Sequence, residues 1–225
     1  MLAIAIDGPS GSGKSSLARA LAAKLQIIYV DTGALYRTVG LFVKEQGIDP
    51  SNTQAVEACL PSLSLSMTYE EGEQHIYLLG KDVKDTIRTP EIAMYASRVS
   101  AIPAVRAFLL DTQRDMARKH DVIMDGRDIG TVILPDAKVK IFLTASNEAR
   151  ARRRTAELLA KGLEANYEDI LRDMTLRDEN DRNRAIAPAV PAEDAILLDN
   201  SLLTFEETIE AVLRIIREKT EEDAE

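Results

Sequence analysis

A chain of 225 residues that is 45% hydrophobic and carries a formal net charge of −9 has enough apolar mass for one sizeable core. Its mean field is too negative for a general nucleic-acid binder, because it would repel a phosphate backbone. The single cysteine, Cys59, excludes an internal disulfide and a clustered-thiol metal site, so a reducing, cytoplasmic setting is expected.

The run Leu2-Ala3-Ile4-Ala5-Ile6 reads as a short apolar strand with no basic leader and no long apolar stretch, so neither secretion nor membrane spanning is expected. A turn-rich loop from Gly8 to Gly13 follows. Leu17, Ala20, Leu21 and Leu25 then recur at helical spacing. A second strand, Ile27 to Val30, ends at Asp31-Thr32-Gly33, and a helix carries Leu35, Val39 and Phe42. Leu63, Leu65, Met67 and Tyr69 alternate with Ser62, Ser64, Ser66 and Thr68, which is the period of a strand with one buried face. Glu71-Gly72 is expected to turn the chain into a second strand, His75 to Leu79, giving an antiparallel hairpin inserted into the larger fold. Thr89-Pro90-Glu91 and Pro103 mark helix starts.

Val122-Ile123-Met124 and Val139 to Leu143 read as buried parallel strands. Helices are expected from Asn147 to Lys161, stopped by Gly162, and from Tyr167 to about Arg182. A strand at Ile196-Leu197-Leu198 precedes a last helix capped by Thr204 and Glu207. Strands alternating with helices indicate an α/β fold with a doubly wound parallel sheet. An acidic tail, Glu221, Glu222, Asp223 and Glu225, closes the chain.

Gly8-Pro9-Ser10-Gly11-Ser12-Gly13-Lys14-Ser15 fits the phosphate-binding loop pattern, and its place between a strand and a helix makes the match specific. Glycines let successive backbone N–H groups and the helix N-terminus face nucleotide phosphates. Lys14 reaches the transferring oxygens, and the Ser15 hydroxyl suits Mg²⁺. A second Mg²⁺ ligand is expected at the end of a neighbouring strand, where Asp125 stands; the alternative is an ordinary turn or cap aspartate. Asp7, directly before Gly8, is a candidate for orienting the loop.

Phosphoryl transfer needs alignment and positive charge rather than a nucleophile, so arginines at loop ends are the expected signature. Arg37, Arg88, Arg106, Arg127, Arg177 and Arg184 meet it, and Asp125-Gly126-Arg127-Asp128 would project Arg127 and Asp128 into a crevice at a strand's carboxyl end. The crowding of Arg150, Arg152, Arg153, Arg154, Arg172, Arg177, Arg182 and Arg184 fits bidentate phosphate grip, with a solvated helix face as the alternative. His75 and His120 join no metal-spaced cluster and read as structural, as does Cys59.

Together these motifs resemble the bacterial cytidylate kinases among the P-loop nucleoside monophosphate kinases. The likeness runs from Ile4 to about Lys219 and rests on the loop, Asp31-Thr32-Gly33-Ala34-Leu35-Tyr36-Arg37, Ile87-Arg88-Thr89, Asp125-Gly126-Arg127-Asp128-Ile129-Gly130-Thr131-Val132, and Arg182-Asn183-Arg184 followed by Pro188. The resemblance implies a single P-loop kinase domain, residues 1–225, with an acceptor-binding insertion at about 38–104 and a helical lid at about 153–185. It implies an enzyme that moves the γ-phosphoryl group of ATP, with Mg²⁺, to CMP and dCMP.

By the same resemblance, Gly8 to Gly13 with Lys14, Ser15 and Ser16 would hold the donor. Ser97, Arg106 and Asp128 would contact the cytosine edge, Tyr36, Arg37 and Arg127 would serve the acceptor, and Asp181 the ribose. Arg177 and Arg184 would join Lys14 and Arg127 in the chemistry, with Ser15 and Asp125 at the metal. A kinase for another small acceptor is the nearest alternative. A GTP-dependent switch lacks its Asn-Lys-x-Asp motif here. No long apolar heptad asks for a partner, so a monomer is expected, with no nucleic acid or membrane bound.

Overall fold

The computed structural model describes residues 1–70 and 73–221. Glu71-Gly72 and the tail residues Glu222, Asp223 and Glu225 lie outside these. Among the described residues are eight helices and eight strands, the strands forming a five-stranded and a three-stranded sheet. The chain divides into two compact units.

The first unit comprises Leu2–Ile27 and Ile123–Glu225. Its centre is β1 (Ala3–Asp7), whose register with β7 (Val139–Thr144) is parallel, Ile4 opposite Val139 and Asp7 opposite Phe142. On the far edge of β7, β8 (Ile196–Asp199) pairs in parallel, bringing Asp199 opposite Thr144. Ile4, Ile6, Ile123, Met124, Val139 and Leu143 are fully or almost fully buried, as strands covered on both faces require. The last strand of this group is β6 (Val122–Gly126).

Four helices belong to this unit: α1 (Lys14–Leu25), α6 (Asn147–Ala160), α7 (Tyr167–Asn183) and α8 (Phe205–Glu221). Their starts are local chemistry. Ser146 and Asn166 side chains cap α6 and α7. At α8, Thr204 Oγ1 accepts from Glu207 N while the Glu207 carboxylate accepts from Thr204 N, the expected reciprocal box.

The second unit is Ile28–Val122 with Met1. It holds β2 (Ile28–Asp31), α2 (Thr32–Glu45), α3 (Thr53–Cys59), β3 (Leu65–Glu70), β4 (Glu73–Leu78), β5 (Lys81–Asp82), α4 (Pro90–Val99) and α5 (Pro103–Lys119). Leu35, Val39, Phe42, Ile76, Ile92 and Leu109 belong to its core. Thr89 caps α4 with proline at the first helical position, and Pro103 starts α5, both as expected.

The hairpin differs in two details. Its first strand begins at Leu65 rather than Ser62, because Pro61 sits in a tight turn, Leu60–Ser62, that precedes it. A third short strand, β5, pairs Tyr77 with Asp82 and Leu78 with Lys81, and His75 Nδ1 lies 2.7 Å from Asp82 Oδ2, which gives that histidine its structural role. The Cys59 thiol donates to the Val56 carbonyl at the end of α3. Among the described residues no helix is long and apolar enough to cross a membrane.

Candidate active site

The loop between β1 and α1 is held open by its carbonyls. Gly8 O accepts from Arg127 Nη1 (2.9 Å), Pro9 O from Lys14 Nζ (3.1 Å), Ser10 O from Arg150 Nη1 (2.6 Å) and Ser12 O from Asn200 Nδ2 (3.0 Å). A peptide's N–H points away from the carbonyl it is bonded to, so tying the carbonyls outward leaves the amides of the loop disposed as an anion nest. Two glycines are sterically required. A Cβ on Gly8 would lie 2.0 Å from the Leu143 carbonyl, and Gly13 caps α1 at a φ of 89°. Ser12 Oγ is buried with no hydrogen-bond partner.

Around this loop the first unit gathers eight of the expected residues, Lys14, Ser15, Asp125, Arg127, Asp128, Arg177, Asp181 and Arg184. Ser15 Oγ donates to Asp125 Oδ2 at 2.6 Å, so the hydroxyl and carboxylate expected to share a Mg²⁺ are within reach of one ion. Among the described residues no three His, Cys, Asp or Glu side chains cluster for a metal. A hydroxyl and a carboxylate are oxygen donors of the kind Mg²⁺ takes, and nucleotide oxygens would complete the set.

Arg127 Nε pairs with Asp181 Oδ2 at 2.9 Å, and Arg184 Nη2 lies 3.6 Å from Asp128 Oδ1. Arg177 stands one helical turn before Asp181 on α7. Burial pushes the Asp181 carboxyl up, but the charges of Arg127, Arg177 and Arg184 outweigh it and hold the group below the ordinary carboxylate range. Lys14 is pulled from 10.5 down to about 7 by burial first and by the neighbouring Arg127 charge second, with Asp125 opposing. Ser16, in the first turn of α1, is exposed.

In the second unit the expected acceptor residues form two groups. Arg37 Nη2 pairs with Asp31 Oδ2 at 2.8 Å and Arg88 approaches the same oxygen at 3.3 Å, while Asp31 Oδ1 caps α2 by accepting from Ala34 N. The Arg106 guanidinium stands 5.5 Å from the centre of the Tyr36 ring, and its Nη1 donates to the Ser100 carbonyl. Ser97, half-buried on α4, accepts at its own carbonyl from Ser100 Oγ.

Asp7 departs from expectation. Its carboxylate does not orient the phosphate loop; Oδ1 accepts from Ile129 N and Oδ2 from Gly130 N, each at 2.8 Å, in a π-turn (Ile129–Ile133) that follows Asp128. Burial raises its pKa from 3.8 to about 6, against the two backbone hydrogen bonds. A folded-state value above the unfolded one means that folding favours the protonated form. This group's stabilisation is therefore complete below about pH 4 and is lost as pH rises through about 6, by up to about 3 kcal/mol. The unfolding free energy of the native protein relative to Asp7→Asn should rise on acidification from about pH 7 to about pH 5. A difference that does not vary with pH contradicts the assignment.

The cytidylate kinase family model matches residues 4–218. The chain belongs to the cytidylate kinase family. It is 48% identical over 216 residues to the cytidylate kinase of Fervidobacterium nodosum, covering 96% of each chain. It is 46% identical to that of Thermosipho melanesiensis, covering 96% of this chain and 97% of the relative. Among solved structures, a shikimate kinase from Bacteroides thetaiotaomicron aligns with a TM-score of 0.50 at 13% identity over 96% of this chain and 98% of that one, a likeness of fold.

Two groups in this member of the cytidylate kinase family hold the loop in a way that the sequence did not disclose. Arg150 is only 2% exposed. Besides Ser10 O it donates to Ala145 O and Asn147 Oδ1, and it pairs with Asp178 of α7 at 2.5 Å, so one guanidinium ties the loop to two helices. Asn200, buried after β8, links Ser12 to Arg153. The available signal was the position of Arg150 between Ala149 and Ala151 on the buried face of α6, which distinguishes it from the exposed Arg152.

Proposed function

We infer that the protein transfers the γ-phosphoryl group of ATP to CMP and dCMP, giving ADP with CDP or dCDP. The observation that carries this reading is the gathering of Lys14, Ser15, Asp125, Arg127, Arg177, Asp181 and Arg184 around a phosphate-binding loop, in a chain whose family match runs over residues 4–218.

In this reading the loop amides from Gly8 to Gly13, with Lys14 and Ser16, hold the donor phosphates. Arg177 and Arg184 add charge where it builds up on the transferring group, and because that group passes through a loose transition state, position and charge supply most of the rate. Mg²⁺, when bound, neutralises phosphate oxygens and would be held by Ser15 and Asp125.

Arg37 and Arg127 grip the acceptor phosphate, and Asp181 the ribose. Ser97, Arg106 and Asp128 read the base, with Tyr36 supporting Arg106. Cytosine presents an amino donor beside ring-nitrogen and carbonyl acceptors, which a carboxylate, a guanidinium and a hydroxyl together satisfy. Uracil reverses part of that pattern, and a buried polar group left unpaired costs about 1–3 kcal/mol, enough for marked preference without exclusion.

Residues 38–104 are the acceptor-binding insertion and residues 153–185 the lid, whose closure keeps water from the phosphoryl group. Half-buried, unpaired Cys59 fits a reducing cytoplasm.

Release of ADP from ATP and Mg²⁺, followed with CMP, UMP, AMP and GMP in turn, tests the assignment. Turnover should be fastest with CMP and low without an acceptor. Faster turnover with AMP or GMP would overturn the substrate while leaving the fold.

A further inference from the structure

The end of β1 meets the Asp125-Gly126-Arg127-Asp128 turn through two successive residues. Asp7, 5% exposed, gives one carboxylate oxygen to each of the first two amides after Asp128, those of Ile129 and Gly130. Its neighbour Gly8 accepts from Arg127 Nη1 at its carbonyl. Residues 127 and 128 are thus bracketed on one side by Gly8 and on the other by Asp7.

The bracket is close-fitting. A Cβ on Gly130 would come 3.4 Å from Asp7 Oδ2 and 3.2 Å from Lys140 Cδ. Asp128 itself is 3% exposed and takes a φ of −147° with ψ of 29°, outside the helix and strand regions, so its backbone needs outside support. Only a carboxylate offers both amides an acceptor. An asparagine of the same shape would set its own NH₂ against one of the two N–H groups.

Keeping this group ionised is costly, because it is buried beside the like charge of Asp128 with Lys14 as the compensating cation. A buried carboxylate retained at such a cost at the back of a recognition turn calls for a reason beyond stability.

We propose that Asp7 is a positioning residue for base recognition: it fixes the Asp128 carboxylate through the Ile129 and Gly130 amides and so sets the preference for a cytosine acceptor. The proposal rests on the reading of Asp128 as the residue that meets the cytosine edge.

The test compares the native enzyme with Asp7→Asn, Asp128→Asn and the double variant, measuring kcat/KM for CMP and for UMP at saturating ATP and Mg²⁺. Asp7→Asn should lower the CMP-to-UMP ratio about tenfold, the equivalent of one hydrogen bond's worth of selectivity, and should lower it no further in the Asp128→Asn background. Equal losses toward both acceptors, or the same loss of ratio in the Asp128→Asn background, would assign Asp7 a merely structural role and overturn the proposal. A ratio left unchanged by Asp128→Asn alone would instead remove the underlying reading of Asp128, an outcome the single variant reports separately. Thermal unfolding establishes that each variant folds. Gly130→Ala disturbs the same contact from the other partner, and should reproduce the loss of ratio if Asp7→Asn does not fold; an unchanged ratio in that variant overturns the proposal.

Discussion

Replacing Lys14 by Met is expected to lower kcat about a thousandfold while leaving the protein at least as stable as the native form. Methionine keeps much of the apolar stem and removes only the ammonium. Lys14 is 7% exposed, its ammonium donates to Pro9 O, and its pKa is pulled down to about 7 by burial and by Arg127, so the charge is held at a cost. Its return comes when phosphate oxygens enter the loop and their charge meets it in a site of low dielectric, where one preorganised donor is worth about 10²–10³ in rate. Steady-state kinetics with both nucleotides saturating, set beside a thermal melt, measures the two halves of this expectation. A large loss of stability would show that Lys14 serves the fold instead.

Arg127→Met should reduce kcat/KM for CMP about a thousandfold and move the KM for ATP far less. The guanidinium donates from Nε to Asp181 and from Nη1 to the carbonyls of Gly8 and Gly126, contacts that hold it beside the loop. Unlike the Lys14 change, this one carries a folding cost. Asp181 is buried, and losing Arg127 leaves its carboxylate to Arg177 and Arg184, worth about 1–3 kcal/mol in a urea titration. A turnover and a KM for CMP both equal to those of the native enzyme would take Arg127 out of the acceptor's reach.

Local chemistry made much of the fold legible. An apolar run followed by glycine, lysine and serine ahead of a helical stripe needs no distant partner to be recognised, and the loop, β1 and α1 fall where that pattern puts them. The same holds for the caps at Thr89 and Thr204, whose partners lie three residues away. Asp125 was readable because a strand's end is a geometric position, and its bond to Ser15 spans 110 residues that the alternating pattern of strands already brings together.

What stayed hidden depends on contacts with no sequence period. Asp7 meets amides 122 and 123 residues away in a π-turn that no side-chain pattern announces. Arg150 belongs to an arginine-rich stretch that reads as a phosphate grip or, in the alternative, a solvated helix face, yet its guanidinium is enclosed by Ser10, Ala145, Asn147 and Asp178. The two-residue strand β5 is too short for alternation to register.

The most direct measurement follows the phosphorus itself: ATP labelled at the γ position, incubated with the enzyme, Mg²⁺ and CMP. The account predicts that the label appears in CDP in step with ADP formation. Label recovered only as inorganic phosphate, or left in ATP, would contradict it.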